Sequence, residues 1–400
     1  MISVEEARTR ILAQVKPVGA ELVALSQGLG RVLAAPVIAR LNQPPADISA
    51  MDGYALRAVD AAPGARLKLI GEAPAGQPFA GHVGVRETVR VFTGGVVPDG
   101  ADAVILQENV EADTGFVQPR DGAETGQNIR RKGQDFAAGS ALLSRGRRCD
   151  SRALALAGAA NYPWLSVHRR PRVAILSTGD EISLPGDPLA PGGIISSNGA
   201  LLAGFVAAHG GEPLLLPIAR DDISAIANAS DAAQGADLLL TTGGASVGEH
   251  DLLQAGLKER GFALDFWKVA MRPGKPLIFG RVGALPVLGL PGNPVAAYVC
   301  AVLFLAPLLA VLAGRGAAAG LPVFDAVMLG AALKQNDQRE DFLRASLVRG
   351  EEGEVVVPYE RQDSGQLQAL TQADALIRRP PFAPALVPGK VVQIIRLRNL

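Results

Sequence analysis

Sulfur and imidazole are scarce in this chain. Of 400 residues only two are cysteine, Cys149 and Cys300, and four are histidine, His82, His168, His209 and His250. The cysteines lie far apart, outside any C-x-x-C spacing, and no H-E-x-x-H occurs. A zinc or iron–sulfur centre is therefore not expected, and a disulfide framework still less. So little cysteine suits a reducing compartment, and the expectation is a cytoplasmic protein. Net charge is missing as well, since 39 basic residues balance 39 acidic ones. Without a basic excess neither a general nucleic-acid binder nor a membrane-surface protein is expected, although Arg130, Arg131 and Lys132 form one local cluster. The N-terminus lacks the basic start and apolar stretch of a secretory signal. Ser3-Val4-Glu5-Glu6 reads instead as a capping box opening an amphipathic helix, with Ile11, Leu12 and Val15 on its apolar side. No internal repeat or low-complexity segment stands out.

Long uncharged runs are absent save one. Val295 to Ala313 carries no charge and approaches the length of a spanning helix. Asn293-Pro294 before it is a good N-cap followed by proline at the first helical position, Pro307 interrupts it and Gly314 stops it. A strand-like run precedes it, so a buried helix of an α/β domain is expected, not a membrane span.

What is present is a globular composition, 48% hydrophobic and 20% charged, long enough for two to four domains. Residues 1–45, helical and then extended to the Gln43-Pro44-Pro45 breaker, are grouped with 136–170 as an elongated N-terminal domain. The helical pattern from Ser151 to Ala160 is expected to pack on the N-terminal helix. Residues 46–135 carry short alternating runs, Arg86 to Phe92 and Ala103 to Leu106, and read as an inserted, mainly β module. Residues 171–318 alternate apolar strands (Val173–Leu176, Leu214–Leu216, Leu238–Leu240, Val287–Leu290) with helices, which predicts a doubly wound parallel sheet covered on both faces. Residues 319–400 return to β and read as a small barrel. The fold class is thus multidomain α/β plus β.

Three of the α/β strands end in glycine-containing loops: Thr178-Gly179-Asp180-Glu181, Thr242-Gly243-Gly244 with Ser246 and Asp251 beyond, and Pro291-Gly292-Asn293. In open α/β sheets ligands bind outside the carboxyl ends of the strands, so these loops converge on one crevice. Glycines there let backbone N–H groups approach anionic oxygens, and a following helix N-terminus adds partial positive charge. Arg272-Pro273-Gly274-Lys275-Pro276 supplies two cations in one turn. Carboxylates beside cations suit a phosphate ester or pyrophosphate bridged by Mg²⁺. Each piece also has a plainer reading. Thr178 to Glu181 passes as a turn with a helix-start pair, Gly243-Gly244 as turn geometry, Asn293 as an N-cap, His250 as a loop residue and Cys300 as core. No nucleophile–base set is evident. The residues alone reach an anionic ligand at a parallel sheet, with Mg²⁺ a fitting companion, and stop there.

Five segments go further. Ser49-Ala50-Met51-Asp52-Gly53-Tyr54-Ala55, Thr178 to Glu181, Thr242 to Gly248 through Asp251, Pro273-Gly274-Lys275-Pro276 and Gly289 to Pro294 occur in an order that resembles the molybdopterin molybdenumtransferases, the MoeA family, to which the E domain of gephyrin is similar. Phe92 to Gly95, Asn128 to Gly133 with Asp135, and Arg339 to Arg344 add to the resemblance. It implies a dimeric four-domain enzyme that inserts molybdate into adenylylated molybdopterin and releases AMP, with Mg²⁺ assisting and the active site completed across the dimer. On this resemblance Asp52, Glu181, Asp251 and Lys275 are the catalytic residues, and Glu181, Asp221 and Asp251 the metal ligands. Substrate contacts fall to Thr93, Arg130, Asp135, Gly243, Gly244, Ser246, Lys268, Arg272, Pro291, Asn293, Arg344 and Ser364. Asp52 and Arg130 would come from the β module of one subunit, the α/β residues from the other. A molybdopterin adenylyltransferase is a further candidate partner; nucleic acid and membrane are not expected partners.

Two departures stand out. Arg272 occupies a position where the family often shows lysine, and a guanidinium prefers planar bidentate partners. Ser196, before Ser197-Asn198, stands where an aspartate is frequent. Two rival functions remain open from sequence: an adenylyltransferase-like enzyme, whose fold resembles the α/β region only, and a non-enzymatic scaffold or molybdopterin-binding protein. The regions flanking the α/β domain speak against the first, and the retained Asp52, Glu181, Asp251 and Lys275 against the second.

Overall fold

The computed structural model describes residues 1–243, 252–350 and 353–397. At its centre lies a six-stranded sheet in the order Glu212–Leu215, Arg172–Ser177, Leu238–Thr242, Leu285–Leu290, Ile278–Val282, Phe262–Trp267. The first four strands run parallel and the last two antiparallel to their neighbours. The expected parallel sheet thus extends over four strands only. The reason is local: Gly283, at a left-handed φ of 57°, and Ala284 form a two-residue turn, which reverses the chain and leaves no room for a crossover helix. Val173 to Leu176 and Leu238 to Leu240 are wholly buried, as strands covered on both faces must be.

The uncharged run forms one helix, Pro294–Leu312, with a mean hydropathy of 2.6, and 89% of it is buried inside the protein. By length and composition alone it would pass as a spanning segment, but its apolar surface is met by the protein's own core. Its turn Ala301–Leu305 is wound as a π-helix. Pro307 just beyond has no N–H to donate and its ring crowds the carbonyl four residues back; the widened turn absorbs both effects.

Ser3 caps the first helix, Val4–Ala13, with its Oγ 3.0 Å from the Glu6 amide. This helix buries Val4, Ala7 and Ile11 in the core that surrounds the apolar helix. The expectation that Ser151–Ala160 packs on it is not met. The helix Ser151–Ala159 shares a separate core with Val23, Leu33 and Val37, where its inward residues Ala153 and Ala157 permit close approach to extended chain. The first helix is tied to the central domain instead, by an Arg10–Asp265 ion pair and a parallel bridge between Ile2 and Val269.

Two ribbons, Ala20–Ala24 with Trp164–His168 and Val37–Ile38 with Ala141–Leu143, carry the chain out to the inserted β module and back. That module is a six-stranded sheet between Gly53 and Pro119 with small cores of its own. At the C-terminal end, Glu340–Gly350 pairs with both Gly353–Pro358 and Ala375–Arg379. Asp325–Leu329 and Val391–Arg396 complete the circuit, so five strands close into a barrel. Met271–Arg272 pairs in parallel with Glu340 and Asp341, joining the barrel to the central domain.

Gly53 follows the candidate Asp52 for a steric reason. A Cβ there would lie 2.0 Å from the Ile105 carbonyl oxygen of the adjacent strand. Gly53→Ala is expected to lower stability by roughly 1–3 kcal/mol through overpacking, read as a lower urea midpoint at unchanged slope.

Candidate functional site

The carboxyl ends of the parallel strands open into a crevice of about 390 Å³ lined by Glu181, Ser196, Asn198, Thr242, Gly243 and Asn293 among others. One side chain ties its walls together. Asn198, the first residue of the helix Asn198–Ala208, donates from Nδ2 to Thr242 Oγ1 at 2.8 Å and to the Gly292 carbonyl at 2.7 Å. Thr242 Oγ1 in turn donates to the Pro291 carbonyl at 3.2 Å. Asn198 is 8% exposed and its Oδ1 has no partner among the described residues, as is true of the buried hydroxyls of Thr178 and Thr241. Buried polar atoms without partners are uncommon, and here they cluster at the strand ends. Gly243 answers a steric demand: it sits at φ 91°, and a Cβ would come 2.4 Å from the Thr178 carbonyl oxygen. Sequence reading missed Asn198 as a site residue, because Ser-Ser-Asn at a helix start looks like capping and nothing local says that the amide reaches two other loops.

Carboxylates gather at the same edge. Thr178 bridges Ala219, and the Asp221 amide donates to Asp180 Oδ1 at 3.3 Å. Burial first, and then the nearby Glu181 and Asp180, push the Asp221 carboxyl above its usual range. Among the described residues no group of three or more His, Cys, Asp or Glu side chains forms a ready-made metal site. The candidates Gly244, Ser246 and Asp251 lie outside the described residues.

Strand register places the cations. Gly289 faces Ile278 and Ile278 faces Trp267, so the turn before Ile278 and the residue after Trp267 stand at the carboxyl edge with Pro291. Lys268 and Lys275 are those residues. Neither ammonium is in an ion pair among the described residues. Lys268 holds a left-handed φ of 99°, uncommon for a side-chain-bearing residue, and its Nζ lies 3.8 Å from the Trp267 ring centre. Lys275 follows Gly274, whose φ of 112° and close approach to Cys300 Sγ leave no room for a side chain.

Arg272, expected to meet substrate, is exposed and is engaged by the barrel. Its Nε is 3.0 Å from Asp341 Oδ1, its Nη2 bonds Asp341 Oδ2, and Asp337 lies 3.5 Å from Nη1. The planar two-point pairing suits a guanidinium. Arg344, also expected at the substrate, is engaged within the protein. It is 1% exposed and donates to the carbonyls of Gln366, Arg361 and Asp363 at 3.1, 3.1 and 2.9 Å. It shapes the 361–366 loop from beneath, and that loop brings Ser364 to the crevice. There the Ser364 hydroxyl accepts from Asn293 Nδ2 at 2.9 Å and its carbonyl from the Val295 amide at 3.1 Å. Asn293 stands at the N-cap position, yet its side chain reaches the barrel and does not cap the helix.

Asp52 sits elsewhere, on the inserted module. Its carboxylate accepts from the Thr93 amide at 2.7 Å and the Thr93 hydroxyl at 2.8 Å. Those two bonds, with a smaller contribution from Arg90, hold its pKa below the usual range. Arg90, which sequence reading missed, lies over the rings of Tyr54 and Phe92. Arg131 is paired with Asp47, which also accepts from the Lys132 amide, while the exposed Arg130 side chain has no ion pair among the described residues. Asp135 is exposed nearby in the chain. Within one chain, and among the described residues, no hydrogen bond or ion pair joins Asp52, Thr93, Arg130 or Asp135 to the crevice.

Residues 2–160 match the MoeA N-terminal region (domains I and II), residues 174–311 a probable molybdopterin-binding domain, and residues 326–397 the MoeA C-terminal region (domain IV). The chain is 35% identical to a molybdopterin molybdenumtransferase of Haemophilus influenzae over 89% of each chain. It is 36% identical to one of Nostoc over 94% of this chain and 88% of that protein, and 33% identical to one of Bacillus subtilis over 100% and 94%. Among solved structures, a molybdopterin biosynthesis MoeA protein of Pyrococcus horikoshii superposes with a TM-score of 0.88 at 31% identity, covering 99% of both chains.

Two outcomes are expected. Arg344→Met strands three carbonyls and should cost roughly 2–4 kcal/mol, measured by chemical unfolding. Asp52, with its depressed pKa, contributes stability above the ordinary aspartate range that is lost as pH falls through its folded value. Thr93→Val removes one of its two bonds, so carboxyl-carbon NMR titration should find its pKa raised partway and that loss moved to higher pH.

Proposed function

The chain belongs to the MoeA family of molybdopterin molybdenumtransferases, and from that membership we propose that it inserts molybdate into adenylylated molybdopterin, releasing AMP with Mg²⁺ assisting. It is a transferase of molybdenum-cofactor biosynthesis. The observation that carries the finer reading is the charge layout at the carboxyl edge of the sheet: two ammonium groups free of ion pairs among the described residues, together with a carboxylate rim in which Asp221 is held against repulsion.

Both substrates are anionic, and Lys268 and Lys275 supply charge for molybdate and phosphate oxygens at an edge where little else neutralises them. Asn198 offers its Oδ1, without a partner among the described residues, to a ring N–H of the pterin while its amide nitrogen holds two of the strand-end loops in register. Pro291 and Asn293 form the far wall, braced by Ser364. Magnesium fits the donors present. It is often held by one or two carboxylates plus substrate phosphate, so it does not need a full protein cage, and it would relieve the repulsion among Asp180, Glu181 and Asp221. When bound it stabilises charge on the departing phosphate.

The proposal includes a homodimer. Asp52, Thr93, Arg130 and Asp135 form a second polar surface on the inserted module, and a partner chain would bring that surface to the crevice. A molybdopterin adenylyltransferase is the class of enzyme that supplies the substrate.

Purified protein should release AMP from adenylylated molybdopterin only when molybdate and Mg²⁺ are present. Tight pterin binding without release would instead favour a scaffold. Asp52→Asn and Lys275→Gln should each abolish most turnover while leaving the fold intact. Co-refolding the two variants should recover roughly a quarter of wild-type activity, because random two-fold pairing leaves that share of sites with both residues native. No recovery on mixing would place both residues in one chain's site and sink the shared arrangement.

A further inference from the structure

The helix that begins at Asn198 in the crevice ends at His209, about 16 Å away along its axis. There the N-terminal domain, the central domain and the barrel enclose two adjoining cavities of about 420 and 240 Å³ that share Arg148, His209 and Arg315. The cations around them fall into two groups. Arg31, Arg169 and Arg396 are paired, with Glu21, Asp237 and Asp325 respectively. Arg148, Arg170 and Arg315 have no side-chain hydrogen bond or ion pair among the described residues. The one carboxylate in the lining, Asp325, is already held by Arg396.

Arg148 and Arg315 are close enough to repel. Burial, and then Arg148, lower the pKa of Arg315. His209 is lowered by burial, Arg315 and Arg148, although its bond to the Phe205 carbonyl opposes this. The ring stacks on Phe205 at 4.1 Å and Nδ1 is 2.8 Å from that carbonyl, so Nε2 is the nitrogen left over. Helix C-termini attract cations, and the helices ending at Ala208 and Leu312 account for some positive charge here. They do not account for a mutually repelling pair of arginines whose charge is unmatched among the described residues. The lining also holds the apolar Val302, Ala306 and the 76% exposed Val323. Cations without partners among the described residues and apolar side chains lining one space of ligand-binding size are the pattern of a small-molecule site.

We propose that this groove binds a phosphomonoester with a ring-shaped or apolar body, of mononucleotide size, its phosphate between Arg148 and Arg315 and its body against the Val323 wall. The site is distinct from the crevice and does not depend on the reaction proposed there.

AMP, adenosine and inorganic phosphate are the probes, titrated calorimetrically into the full-length protein. Because the crevice is itself expected to take phosphate, the titrations are made in a Lys268→Gln/Lys275→Gln background. AMP should still bind there saturably, phosphate should compete with it, and adenosine should not bind. Adding Arg148→Gln and Arg315→Gln should weaken AMP about tenfold or more, since each removes a charge-assisted contact. Val323→Glu, at an exposed position that the fold does not need, should weaken it comparably by placing a carboxylate at the mouth. AMP binding that vanishes with the crevice lysines alone, or that ignores both the arginine and the Val323 changes, would overturn the assignment.

Discussion

The helix from Pro294 to Leu312 has no polar face, and the rest of the molecule is arranged to keep it from water. In an amphipathic helix one side can face solvent; here every side needs cover. The sheet covers one flank through Leu240, Leu288 and Leu290, and the first helix of the chain another through Ala7 and Ile11. The barrel contributes Phe342, Leu376 and Ile395 to the same core. That shared demand brings segments from opposite ends of the sequence together. It also explains why the first helix docks on the central domain and leaves the Ser151–Ala159 helix to the neighbouring extended segments.

The crevice inherits its shape from this arrangement. Asn293 stands at the start of the apolar helix, so the barrel strand and loop that cover the helix also come to rest beside it, and Ser364 meets Asn293 for that reason. Arg344 makes the contact dependable by holding the loop on its carbonyls, while Arg272 and Asp341 lock the neighbouring turn to the barrel. The edge itself is left electrostatically unsatisfied. Asp221 is raised by its surroundings, Asn198 keeps an acceptor without a partner among the described residues, and Lys268 is held in an uncommon backbone conformation beside an indole. Groups that a stable apo-protein would pair are those a charged ligand would complete. The unpaired arginines at the other end of the Asn198 helix repeat the pattern at a second place.

How far the sequence reached depends on the range of the force involved. The continuous apolar strands, the Ser3 cap, the proline-led helix and the glycine loops at strand ends were legible, since each rests on a residue and its near neighbours. The antiparallel return at Gly283-Ala284 was missed although its turn is local, because apolar runs of this length look alike whichever way they run. In the sequence Arg344 reads as a cation near a candidate site; only its burial, at 1% exposure, reveals carbonyls as its partners.

By itself the sequence determined the class of chemistry, the family and the order of the domains, since motif residues and hydrophobic periods are written along the chain. Tertiary structure alone decided which charges remain free. Arg272 and Arg131 are taken by Asp341 and Asp47, residues 69 and 84 positions away, whereas Lys268, Arg130 and Arg148 stay without such partners among the described residues. Ion pairing depends on distances in space that composition does not encode. The chain could therefore announce an anion-binding edge, and only the packed domains could assign the side chains left to serve it.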